Sequence, residues 1–593
     1  MPGIVGIISQ KPAAECRLHA QEMIETLRNE NFHQSAAQFL PEMGIYAGCV
    51  WLEGSTNGIF SDETGAIVLV FNGESFLNSQ MATPEKIIRL YKEEGRYFLE
   101  KLNGLFCGLL IDKPRGNVLL FNDRYGIQRI YLHEGNGCLY FSSEAKALLR
   151  VLPELRQFNM DGLTDFLTFG CTLNWKTLFR GITIMPGGSV WSFENGAPRK
   201  ESYFSPRTWE LQTPLAPAEF QERLQQTFQR ILPGYFEPYS KVGIALTGGL
   251  DTRMIMACRP QTSHTPCYTF TGNNGQTLDD KIAAQIATVS KLEHTLLRLD
   301  EGFFSDFAAH ADKTVFATDG CAGVFTAHEL YFNRKARELA PVRLTGNYGS
   351  EILRGISTFK PLSLSPQLLN QDWAPRVSMR AASWSREKTN PVTFAAFKEV
   401  PWHLYGNLAA GRSQLHFRSP YLDNELVALA FQAPQQCRNS SMPCFNLVRA
   451  SNSDLSEIPT DRGFRGDNSG LGFVTRRAFA EVTFKLDYYS VAGLPNPFSN
   501  LNSIFKPVVE TLKIAGMHKF LRYSAWFRNE LAAYVQDRLF SQRVRTNDVW
   551  NFEFIERMAA AHLRGHRDYS AEINAVMTLD AIERLLCSGT CRN

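Results

Sequence analysis

Short apolar runs broken by Gly, Asn and Asp fill the first 150 residues: IVGIIS, AIVLVFNG, FCGLLID, NVLLFND and LYFSS. Runs of this length, bounded by turn formers, predict strands. Between them PEKIIRLYKEEG places apolar residues at helical spacing and predicts one helix. LQTPLAPAEF (211–220) holds two prolines and little periodicity, and reads as a linker. FQERLQQTFQRIL, just beyond it, is amphipathic and helical. After residue 240 the period alternates. KVGIALTGG, CYTFTG and VRLTGN are strands, while TRMIMACR and DDKIAAQIATVS are helical. Strands alternating with helices predict a parallel α/β sheet. From 370 onward the pattern is mainly helical, without repeats or low-complexity tracts.

With 593 residues the chain exceeds one hydrophobic core, so roughly two or three domains are expected. Apolar residues make up 44% and charged residues 20%, with a net charge of +3. That balance implies no polyanionic partner, and nucleic acid is not expected. The start MPGIVGIISQKPAAE lacks a basic n-region, and no apolar run nears the ~20 residues of a membrane helix. A cytoplasmic protein without a membrane partner is the expectation, and a homodimer stays open. The twelve cysteines are scattered without a CxxC pair, which argues against zinc and for buried thiols.

One stretch changes the picture. LTGGLDTRM (246–254) lies at the carboxyl end of the predicted strand VGIAL, with a helix beginning near Asp251. Ligands of open α/β sheets bind at that edge. The Gly248–Gly249 pair lets the backbone turn tightly and approach a ligand, and the helix N-terminus offers N–H groups suited to phosphate. Thr247 and Thr252 add hydroxyls and Arg253 adds charge. Asp251 would repel a bare phosphate, so its expected work is to hold Mg²⁺ bridging phosphate oxygens. The plain alternative is a strand–helix turn with a glycine pair and an N-capping Asp.

The stretch Thr247-Gly248-Gly249-Leu250-Asp251-Thr252 resembles the SGGxDS PP-loop of ATP pyrophosphatases. Other segments agree in order along the chain. FNGESF (71–76) resembles FNGEIYN of the asparagine synthetase glutaminase domain. NDRYGIQRIYLH with LYFSSEAKALL resembles that domain's RDxxGxxPLYY…ASExKAL, MPGGSV its PPG turn, and SYF the YW or YY that follows. LTGNYGSEILRG (344–355) resembles LSGEGSDEVFGGY, and RSPYLDNELVALAF (418–431) resembles RxPFLDxxxVexA. The resemblance, from residue 1 to about 470, is to the asparagine synthetase family, which includes β-lactam synthetase. It implies an α/β fold. An N-terminal Ntn-type α/β/β/α amidotransferase-like domain would span 1–210. A parallel α/β PP-loop synthetase domain would span 211–593, helical after about 370. It further implies ATP and Mg²⁺.

The departures bear on chemistry. Glutamine-hydrolysing members begin Met-Cys-Gly, and the exposed Cys is the nucleophile. Here Pro2 takes that place. Cys16 and Cys49 read as core thiols. No Arg stands near Cys49, and Thr83 takes the place of the family's acidic residue. Asn72, Gly73 and Glu74 survive as a vestigial glutamine site or a structural turn. Glutamine hydrolysis is therefore expected to be lost. In the synthetase half Asn347 and Ser350 replace the family's Glu and metal-binding Asp, while Glu351 remains. Asp279 and Asp280 are further metal candidates or helix caps. Arg462 and Arg465 stand where the family has its late Lys, Arg449 is another phosphate candidate, and Arg418 reads as a surface or packing charge.

The resemblance thus implies that a carboxylate is adenylated by MgATP and attacked by an amine or ammonia. Thr247, Gly248, Gly249, Leu250 and Thr252 would hold pyrophosphate, Asp251 and Glu351 the metal, and Arg462 the developing charge. Leu246 and Thr271 would border adenine, and Gly346 the substrate. Two alternatives remain: a non-catalytic ATP-binding or scaffold member, and an ammonia-using asparagine synthetase.

Overall fold

The computed structural model describes residues 2–593 except 136, 195–197, 238–240, 261–264, 273–275, 385–389, 467–469, 493–504, 506–507, 510, 513, 519 and 589–593. The N-terminal half is a sandwich of two antiparallel sheets. One runs Thr183–Ile184, Tyr131–Gly135, Cys138–Ser142, Gly3–Ser9, Ile45–Leu52, His33–Leu40. The other runs Arg199–Ser202, Ser189–Phe193, Asn117–Asn122, Asn103–Asp112, Ile67–Leu77, Gly58–Ser61. Gly3–Ser9 lies inside its sheet, Val5 facing both Ser142 and Gly48. Ile4, Ala47, Val70, Leu109, Leu120 and Phe141 fill the space between the sheets. The outer faces are covered as well. Helix Ala13–Leu27 lays Cys16, Ala20, Met23 and Leu27 on the first sheet. Helix Pro84–Glu94 lays Ile87, Ile88 and Tyr91 on the second. Over the central strands both faces are therefore dry, which is why those strands read as apolar runs and not as alternation, whereas the edge strands His33–Leu40 and Arg199–Ser202 keep exposed residues. Thr83 N-caps the second helix, its Oγ1 accepting from the Lys86 N–H at 3.4 Å, so the family's acidic position does cap work here.

The C-terminal half is built on a five-stranded parallel sheet in the order His294–Arg298, Cys267–Thr271, Val242–Ala245, Val342–Thr345, His416–Arg418. On one face Ile244 and Leu344 pack with Leu250, Met254, Ile255, Ile282 and Ile286. On the other, Ala245 and Tyr268 pack with Phe332 and Ala336. Two features differ from the sequence expectation. The helix expected after the linker begins earlier, at Pro217, and runs to Ile231, because proline suits the first turn where no N–H is needed. The edge strand His416–Arg418 lies inside the stretch expected to be helical, and three residues are too few to show alternation. The last helices pack on the synthetase half itself: Trp526, Phe527, Ile573 and Val576 share a core with Phe303, Phe307 and Val315. Arg584 grips Asp312 through two hydrogen bonds of 2.8 and 2.6 Å. Among the described residues no helix is long and apolar enough to cross a membrane.

Candidate active site

The central strand Val242–Ala245 ends in Leu246–Gly249, and helix Leu250–Cys258 follows at once. Gly249 is the N-cap and no side chain caps this helix, so Asp251 sits in the first turn and is not the capping residue. The corner opens into a cleft of about 400 Å³. Of the residues singled out in the sequence, Leu246, Thr247, Gly249, Asp251, Thr252, Asp279, Gly346, Asn347, Ser350 and Glu351 line it. Gly248, Leu250, Thr271 and Arg462 do not. Leu250 is core. Thr271 donates its hydroxyl to Asp280 Oδ2 at 2.7 Å, and its carbonyl accepts from the Leu299 N–H. The Leu246 N–H is spent on the Tyr268 carbonyl.

The loop is cross-braced. The Thr247 and Thr252 hydroxyls lie 3.2 Å apart, and the Gly249 N–H donates to Thr247 Oγ1 at 3.2 Å. The Gly248 N–H donates to Asp279 Oδ1 at 2.8 Å. The two adjacent aspartates therefore divide. Asp280 forms a capping box with Thr277, whereas Asp279 faces the cleft and the loop. Burial, reinforced by Asp461, pushes the Asp279 carboxyl up to about 6.

Asp251 is the most constrained group. Its Oδ2 accepts from Arg354 Nη2 at 2.7 Å, while Oδ1 is buried without a partner among the described residues. Burial pushes its carboxyl up to about 7; Arg354 opposes that, and Glu351 and Asp461 add to it. A cluster of acids raising one another is what a bound cation relieves. The donor set is oxygen only, and the buried, orphaned Oδ1 suits a hard cation that also takes phosphate oxygens. No group of three or more His, Cys, Asp or Glu converges among the described residues, so such an ion would rest on Asp251, Glu351 and ligand oxygens. Glu351 accepts from the Ser350 hydroxyl at 2.9 Å.

Helix Gly349–Arg354 is held hard against the loop helix. A Cβ on Gly346 would meet Thr252 N at 2.6 Å, and one on Gly349 would meet Asp251 Cγ at 2.6 Å. Tyr348, buried, is in the left-handed region at φ 74, a strained conformation for a bulky residue.

The arginines fall differently from the sequence expectation. Arg253 is fully buried and does not face phosphate: its guanidinium donates to the carbonyls of Leu455, Ile458 and Pro459. It thereby latches the 455–461 segment to the loop, where the Asp461 N–H reaches the Gly248 carbonyl at 3.2 Å. Arg462 is half exposed, 3.6 Å from its neighbour Asp461, and stacks on Phe484 at 4.1 Å. Arg449 is exposed and bonds Asn446. Arg418, read from the sequence as a surface or packing charge, is a packing charge. It is fully buried and forks Glu74 through hydrogen bonds of 2.7 and 2.8 Å across the two halves.

That fork lies in a smaller chamber of about 60 Å³, lined by Pro2, Asn72, Gly73, Glu74, His416 and Arg418 among others. Burial alone would raise the Glu74 carboxyl, but Arg418 holds it below its ordinary range. Asn72 Nδ2 donates to the Val50 carbonyl, and the Gly73 N–H donates to Asn57. Cys49 is buried and its thiol pushed up by burial, as is that of Cys107, while Cys16 is buried in the helix layer. No cysteine is among the chamber's described lining residues.

An α/β/β/α sandwich joined to a parallel sheet with a glycine-pair strand–loop–helix corner defines an amidotransferase-type domain coupled to a PP-loop domain. Residues 52–204 match the glutamine amidotransferase domain and residues 239–442 match asparagine synthase. The chain thus carries an amidotransferase-type region followed by an asparagine synthase region. It is 29% identical over 344 residues to asparagine synthetase [glutamine-hydrolyzing] 2 of Bacillus subtilis, covering 52% of this chain and 44% of that one. It is 22% identical over 467 residues to amidase chyE of Penicillium rubens, covering 70% and 63%. Asparagine synthetase B of Escherichia coli matches at 27% over 29% of this chain and 26% of its own. The chain spans about half the length of the first relatives it matches.

Proposed function

We propose that the chain is an ATP-dependent ligase that forms an amide bond by adenylating a carboxylate. A carboxylate oxygen attacks the α-phosphorus, the bond to the bridging oxygen breaks, and pyrophosphate leaves with the electron pair. A nitrogen then attacks the acyl carbon, AMP leaves, and the nitrogen gives up a proton. Thr247, Gly249 and Thr252, which line the cleft, are the pyrophosphate residues of this reading, with Leu246 and Gly346 bordering the nucleotide and substrate, while Gly248, Leu250 and Thr271 shape the loop from outside the lining. Asp251 and Glu351 would hold Mg²⁺, which when bound would neutralise phosphate charge. Arg462 is the nearby cation assigned to the developing charge. Rate enhancement in such a site comes from positioning and charge neutralisation.

The observation that carries the proposal is Asp251. It is a carboxylate, 17% exposed, whose Oδ1 is buried and unpartnered among the described residues, at an uncapped helix start lining a 400 Å³ cleft. The test is exchange of radiolabelled pyrophosphate into ATP with pooled amino and carboxylic acids, with and without Mg²⁺. Magnesium-dependent exchange with one acid supports the ligase and identifies its acyl substrate.

We further propose that the nitrogen comes from an amine or from ammonia and not from glutamine. Glu74 is neutralised by Arg418, and Pro2 brings no thiol to the chamber. Release of glutamate from glutamine by the purified protein would overturn this. One observation favours the non-catalytic alternative: the Gly248 N–H and Asp251 Oδ2 are already taken by Asp279 and Arg354. ATP binding without exchange under any acid would decide for it.

A further inference from the structure

A small cavity between the two halves shares no lining residue with the cleft at the glycine pair. Its volume is about 20 Å³, room for one water-sized group. Arg129, Tyr131 and Cys171 line it from the first half, and Asp319, Cys321 and Trp402 from the second. After helix Phe307–Ala317 the chain turns through Asp319, at φ 52, and Gly320, at φ 77, and so brings Cys321 to the cavity. The turn is seated on helix Tyr405–Arg412, where a Cβ on Gly406 would meet the Cys321 carbonyl oxygen at 2.0 Å. Arg129 is 3% exposed. Its Nη1 donates to Cys321 Sγ at 3.2 Å and to the Tyr131 hydroxyl at 3.1 Å, and Nη2 donates to the Pro401 carbonyl. The guanidinium lies 3.4 Å from the centre of the Tyr405 ring. Among the described residues it has no carboxylate partner. Asp319 shares the cavity, but its oxygens take the N–H groups of Ala145 and Lys146 at 2.6 and 3.1 Å. Arg129 Nε and Trp402 Nε1 are buried without a partner among the described residues.

A buried guanidinium without a carboxylate draws negative charge onto what it touches. Of the two acidic groups in its reach, the Tyr131 phenol is kept protonated by burial, which leaves the Cys321 sulfur. A guanidinium donor favours the thiolate, the form that attacks peroxides. Cys321 is partly exposed, so a small oxidant reaches it. The oxygen left on sulfur has a receiving space, because the cavity admits one group of that size and both residues with unused N–H donors line it. We propose that Cys321 is a modification site for hydrogen peroxide, with Arg129 holding the thiolate and the cavity receiving the sulfenic oxygen. The thiolate attacks one peroxide oxygen, which keeps its proton. An S–O bond forms, the O–O bond breaks, and hydroxide leaves with the electron pair. Sulfur is oxidised to sulfenic acid and the peroxide is reduced. Cys258, Cys437 and Cys587 are the other partly exposed free cysteines among the described residues and serve as internal controls. Burial raises all three thiols, and Cys258 donates to Ser451 Oγ at 3.3 Å.

The test treats the purified full chain with equimolar hydrogen peroxide in the presence of dimedone, which captures sulfenic acids, and maps the adducts by mass spectrometry. Cys321 is expected to carry the adduct before Cys258, Cys437 or Cys587 does. Dithiothreitol added between peroxide and dimedone is expected to remove it, because a sulfenic acid is reducible. The role of Arg129 is read separately, from the rate at which iodoacetamide alkylates Cys321 at neutral pH. Arg129→Gln is expected to slow that rate on the order of tenfold or more, since the thiolate is the nucleophile. Arg129→Lys keeps a cation beside the sulfur and should fall between. It also guards against misfolding of the Gln variant, which circular dichroism checks. No adduct at Cys321, an adduct that forms first at one of the three control cysteines, or wild-type alkylation rates in the folded Arg129 variants would each overturn the proposal.

Discussion

Asp251 faces opposed demands: its backbone belongs to a crowded helix start, and its carboxyl must ionise among other acids. The crowding makes a sharp prediction for Gly346. A methyl there would press on Thr252 N at 2.6 Å and Asp251 Cβ at 2.9 Å, both held by the loop helix. Gly346→Ala should cost about 1–3 kcal/mol, typical of overpacking, and weaken ATP binding. Denaturant melts and nucleotide titration check both, and wild-type values would show that the helices do not meet this closely. At this scale the glycine pair, the hydroxyls and Asp251 were legible because TGGLDT is local: its spacing alone states a turn and a helix start. Arg354 and Asp461 were not legible as site groups. They come from elements about 100 to 210 positions away from Asp251, and only the sheet order brings them near it. Arg253 was misplaced for the same reason, since the carbonyls it holds lie at 455–459.

Among the elements, the short antiparallel strands and the βα units were readable from apolar runs and periodicity. The edge strand His416–Arg418 was not, nor was the nine-residue π-helical segment Ala395–His403, whose pattern has no 3.6-residue period. The strand His33–Leu40 begins with a histidine that reaches out of its own sheet. His33 Nε2 bonds the Ser413 carbonyl at 3.1 Å, and Nδ1 accepts from the Asn29 N–H at 3.3 Å, which requires the neutral ring. Burial lowers its pKa to about 4. The unfolded chain, with an ordinary His near 6.5, binds more protons between pH 4 and 6.5. Stability therefore rises with pH across that window and is lost as pH falls from about 6.5 toward 4. The loss from this group is on the order of 3 kcal/mol. His33→Gln should flatten that limb in denaturant titrations run at several pH values. An unchanged limb would assign the acid lability elsewhere.

Across the whole molecule, one segment ties the halves together. In RSPYLDN, Arg418 forks Glu74, Asp423 accepts from Asn103 Nδ2 at 2.9 Å, and Asn424 accepts from the Tyr125 hydroxyl at 3.0 Å. From the same segment the Tyr421 hydroxyl donates to the Asp251 carbonyl at 2.7 Å, and Ser419 donates to the Asn347 carbonyl. The retained Glu74 thus has a structural reason to persist. Glu74→Gln, which strands a buried guanidinium, should cost about 3–5 kcal/mol, and adding Arg418→Met should recover part of it. A Glu74→Gln protein as stable as the wild type would deny the fork its role. Through Tyr421 the same segment reaches Asp251. The decisive measurement is magnesium-dependent ATP–pyrophosphate exchange by the wild type and by Asp251→Asn, with circular dichroism confirming that both are folded. Exchange in the wild type and none in the folded variant is the predicted result. Exchange that survives in Asp251→Asn would contradict it.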